Sequence, residues 1–287
     1  MQTITHDHTS SKWSHRPAQA DHRIHIGRFK RLVLLVFGIE GLFLALSIAL
    51  NELTYFIVGA AGVLGAYFLW VRMRRAKDAH TNREAVRLLG AGEFDEAIRL
   101  FDQLCQNPTN GSTLAVFLMN RGTASLCRGE FDVALSIYHE VLRAERGIAR
   151  SVFKLHGDLF RARCAEGLAV YGDLDAAEAM LAIHKTHDAQ ARAGMQLLAR
   201  TVIALRRGER QAAWTHLTTH WASAEAMQTA TELKALLILR AFTAEHADPI
   251  CSSITAHDLT RNRWLGTNWS EMFDFIENFD SHQTVKK

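Results

Sequence analysis

Two long apolar segments dominate the first quarter of the chain. Residues 32–50 (LVLLVFGIEGLFLALSIAL) and 53–71 (LTYFIVGAAGVLGAYFLWV) are each 19 residues long, and only Asn51 and Glu52 separate them. At about 1.5 Å per residue each forms a helix about 28 Å long, close to the thickness of a bilayer's hydrocarbon core. The pattern therefore predicts two membrane-spanning helices joined by a tight turn, a transmembrane hairpin. A signal peptide is an alternative for the first segment.

Beyond residue 77 a short motif occurs four times, in which a glycine precedes an alanine by five positions. The copies are GEFDEA at 92–97, GEFDVA at 129–134, GDLDAA at 172–177 and GERQAA at 208–213. Seven positions before each glycine lies a small residue: Ala85, Gly122, Ala165 and Thr201. Nine positions after it lies a bulky one: Phe101, Tyr138, Leu181 and Leu217. We expect each glycine to end one helix with positive φ, and the small residue to let two helices approach beside the bulky one.

This pattern resembles the tetratricopeptide repeat, a helix-turn-helix unit that stacks into an α-solenoid. The resemblance covers about residues 78–220, and the glycines are 37, 43 and 36 residues apart. The longest interval predicts extended helices or an inserted turn around residues 146–154. The resemblance implies a concave groove, lined by the first helix of each repeat, that binds a peptide segment or helix of a partner protein.

Together these patterns predict an all-α protein in four parts. These are a polar, histidine-rich tail, the transmembrane hairpin with its basic flanks, about four tetratricopeptide-like repeats and a C-terminal capping region, at 1–27, 28–77, 78–220 and 221–287.

Two features of the C-terminal part support a cap. An Ala/Leu-rich stretch at 222–245 predicts a helix that the proline at position 249 ends. The aromatic stretch 264–279 is expected to cover the last repeat, and four of its residues share one helical face: Met272, Phe273, Ile276 and Phe279. An exposed aromatic binding site is the alternative.

Charge predicts the orientation of the hairpin. Residues 1–31 contain six Lys or Arg and residues 72–77 contain four, whereas the connecting turn contains none. We therefore expect an integral membrane protein with both termini and the repeats in the cytoplasm, whose basic flanks also contact lipid headgroups. Residues 1–77 carry a net charge of +6 and the whole chain +3, so residues 78–287 carry −3. That balance disfavours a nucleic-acid partner.

Four residues of the hairpin are candidates for packing in the membrane. Glu40 is an ionisable side chain deep in the first span, and it is either a tolerated neutral carboxyl, an assembly contact or part of a proton pathway. Gly59, Gly62 and Gly65 form a small-residue surface that suits close helix packing.

Five residues are candidates for binding the partner. Two positions before the small residue the first three copies have Arg83, Asn120 and Arg163, to which we add Thr123 and Glu166. The family resemblance implies that asparagine there hydrogen-bonds a ligand backbone and that arginine grips a carboxylate, as in part of the family's carboxylate clamp. Leu159 and Val86 depart from that clamp. A solvated charged face is the alternative.

The sequence shows no signature of catalysis. It has no glycine-rich phosphate loop, no GxSxG and no recognisable nucleophile and base, so we predict neither an enzyme nor a cofactor. The pairs His184/His187 and His216/His220 have helical spacing but lack the glutamate of HExxH, and we predict no metal site. Four widely spaced cysteines indicate core residues in a reducing compartment.

The predicted function is that of a membrane-anchored adaptor or scaffold, which binds a protein partner in the groove of its repeats. The alternative is an embedded subunit of a transport or envelope-assembly complex, in which the hairpin makes the functional contact.

Overall fold

The computed structural model describes residues 53–146, 150–244 and 248–279, together with 38–39, 41–45 and 47–48. Within these residues every regular element is a helix, so the prediction of an all-α protein is confirmed. The histidine-rich tail, Glu40 and residues 280–287 lie outside the described residues.

From Leu53 onward the described residues contain eleven α-helices and three short 3-10 helices, and the described residues between 38 and 48 are helical as well. The α-helices are α1 (Leu53–Ala91), α2 (Phe94–Gln106), α3 (Gly111–Arg128), α4 (Phe131–Arg143), α5 (Arg150–Tyr171), α6 (Leu174–Ala182), α7 (Ala189–Arg206), α8 (Arg210–Met227), α9 (Ala230–Thr243), α10 (Ala256–Arg261) and α11 (Ser270–Glu277). The 3-10 helices are Ala144–Arg146, Pro249–Ser253 and Arg263–Gly266. The first of them lies in the long interval between the second and third repeats, where the sequence predicts an inserted turn.

Helix α1 crosses the predicted border between hairpin and repeats at residue 77. It has 39 residues, and no Gly or Pro interrupts it between Gly65 and Gly90. Among the described residues it contains the one stretch, Ile57–Ala91, that is long and apolar enough to cross a membrane. The predicted second span and the predicted first helix of the first repeat are thus one continuous helix.

The chain divides into two compact units. One comprises residues 1–81 and 106–109, and the other comprises residues 82–105 and 110–287. In the first unit Arg74 donates a hydrogen bond to the Asn107 carbonyl at 2.6 Å, and the Thr109 hydroxyl donates one to Asp78, also at 2.6 Å. These bonds join residues 106–109 to the basic part of α1.

In the second unit the four motif glycines end helices as expected. Gly92, Gly129, Gly172 and Gly208 have φ of 84°, 88°, 108° and 78°. After α3, for example, the Gly129 and Glu130 amides donate to the Leu126 and Ser125 carbonyls, both at 2.9 Å. A side chain is strained at positive φ, which explains why glycine recurs at this position.

The second unit has one hydrophobic core, and the small and bulky positions of all four motif copies lie in it. A Cβ placed on Gly122 would come within 2.5 Å of the Tyr138 ring, so here the small residue does admit the bulky one. Helices pack in the pairs α3–α4, α5–α6 and α7–α8, and α5 also contacts α3, α4 and α7. Residues 161–170 of α5 are all buried, which makes this helix the centre of the unit.

The C-terminal part differs from prediction in two places. The helix predicted over residues 222–245 is divided, because Thr229 and Glu232 form a capping box that starts α9 after α8 has ended at Met227. On α11 Phe273 is exposed, and Phe275 instead joins the core. The other three residues of the predicted face are buried.

We expect Gly194→Ala to destabilise the second unit by about 1–3 kcal/mol, because overpacking forces a backbone shift. A Cβ on Gly194 would press on the backbone oxygen of Ser223 in α8 and lie 2.6 Å from its carbonyl carbon. That penalty outweighs the roughly 0.5–1 kcal/mol gained on replacing glycine by alanine inside a helix. The measurement is the thermal midpoint of the full chain in detergent micelles.

Gly90→Ala is the matched control. A Cβ there would meet only the Thr231 hydroxyl, at 3.9 Å, so we expect no loss of stability. Equal midpoints for the two variants would contradict the close approach of α7 and α8.

Candidate functional site

One hydrogen bond joins α1 to α3 at a polar surface that we call the Asn82–Asn120 face, defined by these two asparagines, by Arg83 next to Asn82 in sequence and by Thr123 one turn after Asn120. The Asn120 side-chain amide donates to the Asn82 side-chain oxygen at 3.1 Å and so links the two helices. Thr123 donates to the Met119 carbonyl at 3.1 Å and lies 3.2 Å from the Tyr138 hydroxyl. Arg83 is exposed, and both asparagines are half-buried. Amide groups at this exposure can still bond to a ligand backbone.

Arg163 and Glu166 lie in a different environment, one that the sequence did not predict. Arg163 Nη1 is 2.8 Å from Glu166 Oε2 on the same helix, and Arg163 Nη2 contacts Glu232 of α9. The three residues are only 6%, 2% and 6% exposed. We call them the buried charge cluster. In this conformation their polar atoms face one another rather than solvent.

The buried charge cluster has two physical consequences. Burial alone would lower the pKa of Arg163, but the Glu166 and Glu232 carboxylates raise it above its usual value. Glu232 also accepts a bond from the Thr229 amide at 2.8 Å, so the same carboxylate starts α9 and fixes it to α5. The capping-box spacing of Thr229 and Glu232 was the one sequence signal for this role.

The C-terminal segment lies along the ends of the repeat helices. A Cβ on Gly92 would come within 2.8 Å of the Arg261 side chain, and the 3-10 helix Arg263–Gly266 packs against α3. Arg206 donates to the Val170 carbonyl at 2.7 Å and to the Asn268 carbonyl at 3.0 Å, with its guanidinium over the Trp269 ring. The C-terminal segment therefore contacts the turn at Gly92, helix α3 and the end of α7, which are far from it in sequence.

The predicted membrane-packing residues are only partly described. Gly59 lies against the Phe43 ring with no space for a Cβ. Gly62 and Gly65 are exposed, and no described atom lies within 4 Å of a Cβ placed on either. Glu40 is outside the described residues.

The described residues offer little reactive chemistry. Burial raises the pKa of the Cys105, Cys127 and Cys164 thiols to about 12, which keeps them protonated. Within the described ranges no group of three or more His, Cys, Asp or Glu residues is arranged to hold a metal ion.

A shallow pocket of about 290 Å³ lies between α6, α7 and α8. It has mixed charge, since Arg200 and His216 line it together with Glu178 and Glu209.

In the part of the chain that it describes, the structure thus shows only helices as regular elements, with one candidate membrane-spanning helix, a polar face and a buried charge cluster. Comparisons with protein-family models, with curated proteins and with solved structures found no match.

Proposed function

We propose that the chain is a membrane-anchored adaptor that binds a protein partner on the Asn82–Asn120 face of its tetratricopeptide-like repeats. The observation that carries this proposal is the continuity of α1. Its N-terminal part exposes large apolar side chains such as Ile57, Leu64 and Phe68, and further along the same helix Ala85 and Leu89 are buried in a core. One continuous helix thus supplies both an apolar surface for a membrane and the first wall of a binding surface.

The charged part of α1 supports an anchor in the membrane. Arg72, Arg75 and Lys77 are exposed directly after the apolar residues, where cations suit an anionic headgroup layer. We propose that the hairpin holds this end at the membrane and that the termini and repeats lie in the cytoplasm.

The partner-binding surface is narrower in this proposal than the groove predicted from sequence. Arg83, Asn120 and Thr123 keep the role that we predicted for them, because the first is exposed and the other two are half-buried. Arg163 and Glu166 are closed off by Glu232, so a partner would reach them only after α9 moved. We therefore assign the partner to α1 and α3, with Asn120 bonding to its backbone and Arg83 facing a carboxylate.

Site-specific photo-crosslinking in native membranes tests the proposal. A photoreactive amino acid is placed at position 83, or at position 99 as a matched control on the exposed surface of α2, and the captured protein is identified by mass spectrometry. We expect one protein to be captured from position 83 and not from 99. We also expect Asn120→Ala to reduce that capture by about tenfold, as for the loss of a hydrogen bond worth roughly 1–1.5 kcal/mol.

A third crosslinking position separates the adaptor from an embedded subunit. Leu64 is 56% exposed in the apolar part of α1. Capture from position 64 alone, unchanged by Asn120→Ala, would reject the adaptor and favour a complex in which the hairpin makes the functional contact.

A further inference from the structure

The buried charge cluster contains more negative than positive charge. One guanidinium, on Arg163, contacts two carboxylates, on Glu166 and Glu232, and each of the three side chains is at most 8% exposed. With both carboxylates ionised the cluster carries a net charge of −1 in an environment almost without water. With one proton on the pair it is neutral. An unbalanced buried charge is costly, and the usual response is to take up a proton.

We propose that this cluster is a pH-sensitive contact between α5 and α9, in which a proton on Glu166 balances the charge of the cluster and holds α9 in place, and loss of that proton loosens it. The inference goes beyond the adaptor function and needs no partner, because it concerns only the attachment of α9 to the central helix. It also explains why a carboxylate that already caps α9 is buried against a second carboxylate.

The surrounding groups leave Glu166, beside the Glu232 carboxylate, as the titrating site. Two titratable side chains of neighbouring helices interact electrostatically with the cluster, Cys127 on α3 and Tyr138 on α4, and Arg261 on α10 acts in turn on Cys127. Burial raises the pKa of Cys127 to about 12 and that of Tyr138 well above 10, so neither ionises near neutral pH. The Arg163 guanidinium stays charged there, because the Glu166 and Glu232 carboxylates raise its pKa.

The direction of the effect follows from the pKa of Glu166. Burial raises it from 4.5 to about 7; the Arg163 guanidinium opposes the rise and the Glu232 carboxylate adds to it. Between about pH 4.5 and 7 the folded chain therefore holds a proton that the unfolded chain has released. The stabilisation is fully present below that range and is lost as the pH rises through about 7.

The test is the thermal midpoint of the full chain in detergent micelles between pH 5.5 and 8.5, for the parent, Glu166→Gln and Glu232→Gln. Glutamine at position 232 can still accept the capping bond, so that variant changes charge while leaving the start of α9 intact. His139 and His216, whose pKa values are lowered mainly by burial, give an opposite slope, but they are present in all three proteins and cancel in the comparison. Glu140→Gln, at an exposed position of α4, is the matched control.

From pH 5.5 to 8.5 we expect the midpoint of the parent and of Glu140→Gln to fall by about 4–8 °C relative to both cluster variants. Parallel curves for the parent and the two cluster variants would overturn the proposal.

Hydrogen exchange of the parent protein provides a second measurement that needs no variant to fold. After correction for the intrinsic pH dependence of exchange, protection of α9 relative to α7 should fall as the pH rises from 6 to 8.5. Constant relative protection would also overturn the proposal.

Discussion

Arg163→Leu is expected to lower the free energy of unfolding by about 3–5 kcal/mol, because it leaves two buried carboxylates with no cation between them. Leucine fills part of the space of the arginine stem, so the loss comes mainly from Glu166 and Glu232, which then repel each other in a nonpolar environment. The defect should be smaller at pH 5.5 than at pH 8, since a proton on Glu166 at the lower pH removes its repulsion of Glu232. Urea unfolding of the full chain in a mild detergent, at both pH values, measures it.

Arg207→Leu is the matched control for this prediction. Arg207 is also paired with two carboxylates, Asp175 and Glu178, but the arginine side chain is 32% exposed and Asp175 is fully exposed. A solvated pair of this kind contributes less than about 1 kcal/mol. Comparable losses for the two arginines would show that water reaches the cluster.

Replacing all three cluster residues tests whether the loss of stability in Arg163→Leu is electrostatic. A variant with Met at positions 163 and 166 and Gln at 232 removes the three charges of the cluster while keeping most of the volume and the capping bond, and we expect it to recover most of the stability lost in Arg163→Leu. A triple variant no more stable than Arg163→Leu would contradict an electrostatic origin of the defect.

The sequence predicted the local features of the repeats well, because each depends on the chemistry of one or two residues. A glycine is needed wherever a helix ends with positive φ, and all four motif glycines have it. Likewise Gly122 has no side chain and so leaves room for the bulky Tyr138, and the two residues do lie together. Such rules are readable from spacing alone.

The tertiary features were not readable in this way. The spacing placed Arg163 and Glu166 on an open groove, but whether a polar residue is exposed depends on what later segments cover. Here α9 brings Glu232 back to α5 from 66 residues further along the chain than Glu166. The sequence also did not predict that α1 is continuous. A change from apolar to basic residues marks where a helix leaves the membrane, but it does not end the helix.

Tyr138→Ala is expected to destabilise the chain by about 3–5 kcal/mol, because it removes the largest side chain that is fully buried among the described residues and leaves a cavity in the core. The ring fills the space left by two glycines. A Cβ on Gly122 would lie within 2.5 Å of it, and one on Gly167 within 3.3 Å. Neither glycine has a side chain that can move into the cavity, so we expect little relaxation.

Tyr138→Phe separates packing from hydrogen bonding at this position. It keeps the ring and removes only the hydroxyl, which lies 3.2 Å from Thr123, so the expected loss is about 0.5–1.5 kcal/mol. Tyr171→Ala is the control for removing a ring from a partly exposed position, and it should cost less than Tyr138→Ala because Tyr171 is 37% exposed. If instead Tyr138→Phe were as damaging as Tyr138→Ala, the bond to Thr123 would outweigh the packing. The position of Thr123 on the Asn82–Asn120 face would then depend on the Tyr138 hydroxyl, because this contact joins Thr123 to the core.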